Sequence, residues 1–143
     1  MSKEFINIGI VCYPTYGGSG VVATELGKAL AAKGHQVHFI SYKRPARHGS
    51  FQSNVYYHEV STSEYPLFDF KPYDTALTSK IVDVSIHHNL DILHVHYAIP
   101  HAIIGFVARE ILAKKGKCVP LVTTLHGTDI TLVGVDGSFY PVV

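Results

Sequence analysis

The sequence VPLVTTLHGTD, residues 119–129, places a polar segment directly behind an apolar run. Val119 to Val122 form the apolar run, and Thr123 to Asp129 form the polar segment. A short apolar run bounded by turn residues is typical of a strand that is buried on both faces of a parallel sheet. Ligands bind in such sheets beyond the carboxyl ends of the strands. The hydroxyls, imidazole and carboxylate that follow Val122 therefore indicate a ligand site.

Two further apolar runs end in the same way. Ile6 to Cys12 lead into YPTYGGSG, residues 13–20, and Asp91 to Val95 lead into HYAIPH, residues 96–101. Carboxyl ends of parallel strands meet at one edge of a sheet, so we expect these three segments to converge on one crevice.

Strand-like and helix-like segments alternate along the chain. The strand-like runs are Ile6 to Cys12, Val37 to Ser41, Val55 to Val60, Ile92 to Val95, and Val119 to Leu125. The helices are predicted to begin near Ser19 or Gly20, near Asp74 as an N-cap, and near Pro100; the first ends at Gly34 and the third at Lys114 to Gly116. This alternation predicts an α/β fold, a Rossmann-like parallel sheet flanked by helices.

Composition limits the classes of function. A chain of 143 residues corresponds to about one domain, and its formal net charge of +1 provides no general attraction to nucleic acid or to an anionic membrane. The two cysteines, Cys12 and Cys118, lie in apolar runs and are predicted to be buried thiols in a reducing compartment, with a free reactive thiol as the alternative. The N-terminus resembles neither a signal peptide nor a membrane span, so we expect a cytoplasmic protein. The basic segment Lys43 to Ser53 is predicted to be a mobile loop.

The turn Gly17-Gly18-Ser19-Gly20 is a candidate anion site. It joins a strand to a helix, where backbone N–H groups and the helix dipole favour phosphate or carboxylate. The alternative is a tight turn that only requires small residues. The turn does not match G-x-G-x-x-G, and the second strand ends in Ser41-Tyr42-Lys43 without an acidic residue for a ribose. A nicotinamide enzyme is therefore disfavoured.

Histidines near the strand ends raise the question of a metal. His94, His96, His101 and His126 are the candidates, and His94 and His96 share one face of a strand. Their spacing matches no standard zinc motif, and packing or hydrogen bonding explains them as well. Asp129 is a candidate general base, metal ligand or helix N-cap. Neither a second paired carboxylate nor a nucleophile elbow accompanies it, so hydrolysis is weakly supported.

Taken together, three motifs resemble the N-terminal half of glycosyltransferase family 4. They are Cys12-Tyr13-Pro14 with Gly17-Gly18-Ser19-Gly20, the stretch His94 to Ala102, and the stretch Thr123 to Ile130. The resemblance covers nearly the whole chain. It implies the GT-B architecture, in which two Rossmann-like domains enclose a cleft.

The branch of the family that these motifs resemble acts in bacillithiol biosynthesis. It implies transfer of N-acetylglucosamine from UDP-N-acetylglucosamine to L-malate with retention at the anomeric carbon, with neither a metal nor another cofactor. His126 is then the catalytic residue beside the donor sugar, as a hydrogen-bond partner and wall of the reaction centre. Gly17, Gly18 and Ser19 meet the donor phosphate or sugar, and Ser19, Tyr97 and Thr124 meet the acceptor.

The same resemblance implies parts that residues 1–143 do not contain. These are the nucleotide-sugar domain, with its basic residues and paired glutamates, and a later arginine for the acceptor. We therefore expect residues 1–143 to be an acceptor-side domain that is cut short, inactive alone and prone to self-association. The alternatives are a family 4 transferase with another acceptor, such as an inositol phosphate or a lipid-linked sugar, and a non-catalytic Rossmann-like module that binds a small anion or nucleotide.

Overall fold

The computed structural model describes residues 3–15, 17–45, 52–62, 64, 66–138 and 141. Its strands are β1 (Asn7–Val11), β2 (Gln36–Ser41), β3 (Val55–Glu59), β4 (Ile92–His96) and β5 (Leu121–Thr124). Its α-helices are α1 (Ser19–Ala32), α2 (Tyr73–His87) and α3 (Ile103–Lys114). Most of the predicted mobile loop, residues 46–51, lies outside the described residues.

The five strands form one parallel sheet in the order β3-β2-β1-β4-β5. The chain moves outward from β1 through β2 to β3, and then returns to the other side of β1 for β4 and β5. This reversal creates a crevice beyond the carboxyl ends of β1 and β4, which is the usual ligand position in open α/β sheets. The predicted Rossmann-like parallel sheet is confirmed.

Helices cover both faces of the sheet. On one face α1 packs over β1 and β2, where Ile10, Ala23 and Phe39 are fully buried. On the other face α2 and α3 pack together over Val11, Ile40 and Val95. Burial on both faces explains why the central strands β1, β2 and β4 are mostly apolar rather than alternating, whereas the edge strands β3 and β5 are partly exposed.

Two predicted helix boundaries were wrong. Asp74 does not cap α2, because the helix begins at Tyr73 and Pro72 holds the N-cap position. Asp74 instead lies in the first turn, where its negative charge interacts favourably with the helix dipole. Pro100 is not in the first turn of α3, because residues 98–102 form a separate π-type turn that contains the non-helical Ile99 and a cis Ile99–Pro100 bond. The predicted end of α1 is confirmed by Gly34, whose φ is 98°.

The two cysteines differ in exposure. Cys12 is buried at the end of β1, and burial raises the pKa of its thiol to about 12. Cys118 is exposed, so the prediction that it is buried was wrong. Cys118 lies before the first residue of β5, Leu121, and its side chain is at the surface.

Candidate functional site

A cavity of about 530 Å³ lies at the crevice beyond the carboxyl ends of β1, β4 and β5. This volume is within the range of small-molecule sites. The lining residues come from the turn after β1, the start of α1 and the ends of β4 and β5: Tyr13, Thr15, Gly17, Gly18, Ser19, Val22, Tyr97, His126 and Thr128. Convergence of the three polar segments is therefore observed.

The start of α1 gives the cavity its anion-binding character. The N-cap Gly18 has φ 58° and ψ −131°, a conformation that a residue with a side chain adopts only with strain. This backbone turns the chain sharply into the helix at Ser19. The first N–H groups of a helix have no partner within it and carry the positive end of its dipole. The wall formed by Gly17, Gly18 and Ser19 therefore favours a phosphate or carboxylate.

Tyr97 follows β4 directly and also has an unusual backbone. Its φ of 86° lies in a region that side chains rarely occupy, and its backbone N–H donates to the Thr124 carbonyl at 3.0 Å. The Tyr97 hydroxyl lies 2.8 Å from the Thr128 hydroxyl. Strained residues of this kind cluster at binding sites, because the surrounding structure must hold them. Here that strain coincides with a side chain that lines the cavity.

Tyr13 supports Tyr97 from the β1 side. Their rings meet edge to face with centroids 5.7 Å apart, and the Tyr13 hydroxyl donates to the Ile99 carbonyl at 3.4 Å. Burial, with Tyr97 nearby, raises the pKa of Tyr13 to about 12. Tyr13 therefore stays a neutral phenol at physiological pH.

Asp129 ties the ends of β4 and β5 together. It is fully buried, and its carboxylate accepts from the backbone N–H of His126 at 3.0 and 3.2 Å and from that of Ala98 at 3.0 Å. Thr128, not Asp129, holds the N-cap position of the short turn that follows. Because both carboxylate oxygens accept backbone hydrogen bonds, Asp129 serves as a clamp that positions His126 rather than as a free base.

His126 is paired with a buried histidine behind it. His126 Nε2 lies 3.0 Å from His96 Nδ1, and the two rings stack with centroids 5.2 Å apart. His96 is fully buried, and burial, followed by the neighbouring His94, His126 and His101, lowers its pKa to about 3. His96 is therefore neutral and carries one ring proton.

The position of that proton follows from what each ring nitrogen can reach. His96 Nε2 is buried without a partner among the described residues, and an orphaned N–H donor is rarer than an orphaned acceptor. This favours Nδ1–H of His96 donating to Nε2 of His126. The basic lone pair of His126 is then occupied, and its own proton lies on Nδ1.

A second histidine fixes the backbone of His96. His101 is fully buried, and its Nδ1–H donates to the His96 carbonyl at 2.9 Å. The Tyr73 hydroxyl of α2 donates to Nε2 of His101 at 3.3 Å. Burial lowers the pKa of His101, so this histidine is also neutral. The side chains of the predicted metal candidates His96, His101 and His126 are thus hydrogen-bonded to one another or to the backbone.

Most residues predicted from the sequence lie together. Gly17, Gly18, Ser19, Tyr97 and His126 all line the cavity. Thr124 does not line it, because its hydroxyl lies 2.7 Å from Nε2 of His94, which stacks on His96. The prediction did not assign roles to Tyr13, Thr15, Val22 and Thr128. Of these, Thr128 could have been found from its place in the polar segment behind β5.

Comparisons with known proteins agree with this architecture. Residues 16–142 match the sequence profile described as Glycosyltransferase Family 4. The chain is 53% identical over 133 residues to the N-acetyl-alpha-D-glucosaminyl L-malate synthase of Bacillus anthracis, a match that covers 93% of this chain and 34% of that protein. The chain thus spans about a third of the length of this curated relative.

A crystal structure of a glycosyltransferase from Rickettsia africae ESF-5 shares the fold with a TM-score of 0.59. The sequences are 19% identical, and the match covers 97% of this chain and 33% of that one. In the part of the chain that the structure describes, no helix is long and apolar enough to cross a membrane. Because the family profile covers most of its length, the chain belongs to glycosyltransferase family 4.

Proposed function

We propose that this chain is the acceptor-side domain of a retaining transferase that moves N-acetylglucosamine from UDP-N-acetylglucosamine to L-malate in bacillithiol biosynthesis. The observation that carries the proposal is the 53% identity to a protein named for L-malate and N-acetylglucosamine, which extends over 93% of this chain. Family membership also favours a transferase over a non-catalytic binding module.

The cavity suits a small dianion such as malate. None of the described residues that line it is lysine or arginine, so recognition by them rests on the backbone N–H groups at Gly17 to Ser19 and on the hydroxyls of Ser19 and Tyr97. These groups are compact and polar, which favours a small hydroxy acid over a lipid. The same turn would face the donor phosphate when the second half of the enzyme closes over it.

Transfer requires the malate hydroxyl oxygen to bond the anomeric carbon while the bond from that carbon to the phosphate oxygen breaks. In the mechanism that the family implies, the departing phosphate oxygen takes the hydroxyl proton, so a separate base is not needed. The pairing of His126 with His96 fits this mechanism, because its Nε2 lone pair is already occupied. We assign His126 the role of a hydrogen-bond donor that contacts the donor sugar and stabilises charge in the transition state.

In this proposal Thr124 positions His94 rather than contacting the acceptor directly. Its hydroxyl bonds His94, and His94 stacks on His96 with centroids 4.3 Å apart. Thr124 does not line the cavity, whereas Tyr97 does. We therefore expect Thr124→Val to weaken acceptor binding less than Tyr97→Phe.

Calorimetric titration of the 143-residue chain with L-malate and with UDP-N-acetylglucosamine tests the assignment. We expect malate to bind, D-malate to bind more weakly, and the sugar nucleotide not to bind on its own. Tyr97→Phe should weaken malate binding about five- to tenfold, the effect of one hydrogen bond. Tyr56→Phe is the matched control, because the Tyr56 hydroxyl also makes one exposed hydrogen bond, to Gln36 at 3.0 Å, away from the cavity.

Other results would contradict specific parts of the proposal. Donor binding without malate would place the nucleotide site in this half of the enzyme, and absence of both would refute the acceptor site. Binding of an inositol phosphate in preference to malate would favour another acceptor in the same family. We expect no turnover by the 143-residue chain, because in family enzymes the donor site is built by a second domain.

Cellular location and self-association complete the proposal. A cytoplasmic location stays a prediction of the sequence. Self-association is supported by β5, which has only β4 as a neighbour among the described strands, and by Val122 and Leu125, which are 41% and 52% exposed. A concentration series in analytical ultracentrifugation measures it, and a monomer throughout would refute it.

A further inference from the structure

A second group of histidines lies away from the cavity. His38 is buried on β2, His58 is half-buried on β3, and His88 is exposed directly after α2. One ligand nitrogen from each ring lies within 4.8 Å of the other two. The centroids of these three rings are 4.6 to 5.2 Å apart.

The topology explains how residues so distant in sequence meet. In the parallel register His38 pairs with Tyr56 and Ile40 pairs with His58, so His38 and His58 point to the same face of the sheet. This is the face that α2 covers, since α2 packs with Ile40 in one core cluster. The end of α2 brings His88 over it, and Asn7 at the start of β1 donates to the His88 carbonyl at 2.9 Å. His38 lies near the amino end of β2 and His58 near the carboxyl end of β3, and none of the three histidines lines the cavity.

We propose that His38, His58 and His88 bind a divalent transition-metal ion, with Zn²⁺ as the ion that this all-imidazole set fits, and that the ion ties the end of α2 to β2 and β3. Imidazole nitrogens are preferred ligands of zinc, and three protein ligands with water in the fourth position form a common zinc geometry. No metal ion is part of the structure described here, so the argument rests on the three side chains.

The distances require little rearrangement. Tetrahedral zinc with Zn–N bonds of about 2.0–2.1 Å places its ligand nitrogens about 3.3 Å apart. His38 Nδ1 and His58 Nε2 are 2.9 Å apart and need to separate by only a few tenths of an ångström. His88 must approach, and its exposed ring already packs against the rings of His38 and His58 while Asn7 holds its backbone. The hydrogen bond between His38 and His58 accounts for the approach of two nitrogens, and the nearby nitrogen of His88 supplies the third ligand. A bound metal would replace the hydrogen bond that His38 and His58 now share.

The test is titration of the 143-residue chain, purified without a histidine tag and stripped with a chelator, with Zn²⁺ by calorimetry and with Co²⁺ by visible absorption. We expect one ion per chain and a melting temperature that rises with Zn²⁺ concentration. His88→Gln should weaken binding at least about 100-fold, since loss of an outer-shell partner alone costs up to that much. His87→Gln is the matched control, because this adjacent histidine is exposed and pairs with Asp83 at 3.0 Å.

Each other outcome would overturn the inference. Equal zinc affinity in His88→Gln and the unchanged chain would exclude this site, as would equal weakening by His87→Gln. Zinc binding that is lost in His126→Gln instead would place the ion at the cavity. His88→Gln should leave malate binding unchanged, so failure of the zinc site and failure of the proposed function can be told apart. Circular dichroism of each variant confirms that it is folded, and a folded chain that takes up no zinc refutes the proposal.

Discussion

Replacing Asp129 with alanine should destabilise the protein strongly. The fully buried carboxylate accepts from two backbone N–H groups, those of His126 and Ala98, which belong to different loops. A hydrogen bond to a charged group contributes about 1.5–3 kcal/mol, and leaving a buried donor unsatisfied has a cost of similar size. Two such bonds give a loss of about 4 kcal/mol, discounted because His126 is only partly buried. Typical domains have a total stability of about 5–15 kcal/mol, so this is a large share.

Urea unfolding followed by circular dichroism measures this loss through the transition midpoint at constant m-value. Asp129→Asn should cost less than the alanine change, because an amide oxygen in the place of Oδ2 can still accept from both N–H groups but lacks the charge that strengthens them. Asp136→Ala is the control. Among the described residues the exposed Asp136 carboxylate accepts a hydrogen bond only from the nearby Ser138 N–H, at 2.7 Å, so this change should cost less than about 0.5 kcal/mol. A change below about 1 kcal/mol in Asp129→Ala, with the m-value unchanged, would refute the clamp.

Three further predictions concern stability and reactivity. The contribution of His96 to the free energy of unfolding should fall by about 1.4 kcal/mol per pH unit as the pH drops from about 6.5 towards 4. In this range His96 is protonated in the unfolded chain but stays neutral in the folded chain, where its pKa is about 3. Urea unfolding midpoints measured across this pH range should show the slope, and the slope should be smaller in His96→Asn. Gly18→Ala should lower stability by about 1–3 kcal/mol, because a side chain at its positive φ strains the backbone. Gly17→Ala is the control: an added Cβ meets no atom within 4 Å at either position, but Gly17 has no positive φ, so the change should cost less than about 0.5 kcal/mol. Thermal melting measures both. A thiol reagent should label Cys118 rapidly and Cys12 only on unfolding; rapid labelling of both would contradict the fold near β1.

The strands were predictable because their apolar residues leave a strong local signal, which is strongest where both faces are buried. Each of the five predicted runs overlaps a strand, with ends displaced by at most two residues. The largest displacement is in β5, where the run begins at Val119 but pairing begins at Leu121, after Pro120. The convergence of cavity residues also followed from the sequence, since it depends only on which strand each residue follows.

Contacts between side chains were less accessible from the sequence. The bond between Thr124 and His94 depends on the register of β4 and β5, which no local pattern encodes. The grouping of His38, His58 and His88 depends on the β2–β3 register and on where α2 ends. Each of these histidines looks unremarkable alone, because its neighbours come from other strands and helices.

Two sets of residues in and around the cavity differ in how much a substitution would destabilise the protein. Asp129, His96 and His101 are fully buried, and their hydrogen bonds join the backbone after β4 to that after β5 or hold His126 in place, so a substitution at any of them disturbs the loops. Thr15 and Thr128 line the cavity from exposed positions. If the proposed function is correct, substitutions at these exposed positions would change which acceptor binds at little cost in stability. Descendants of such a chain could therefore diverge in substrate while inheriting the same loop scaffold.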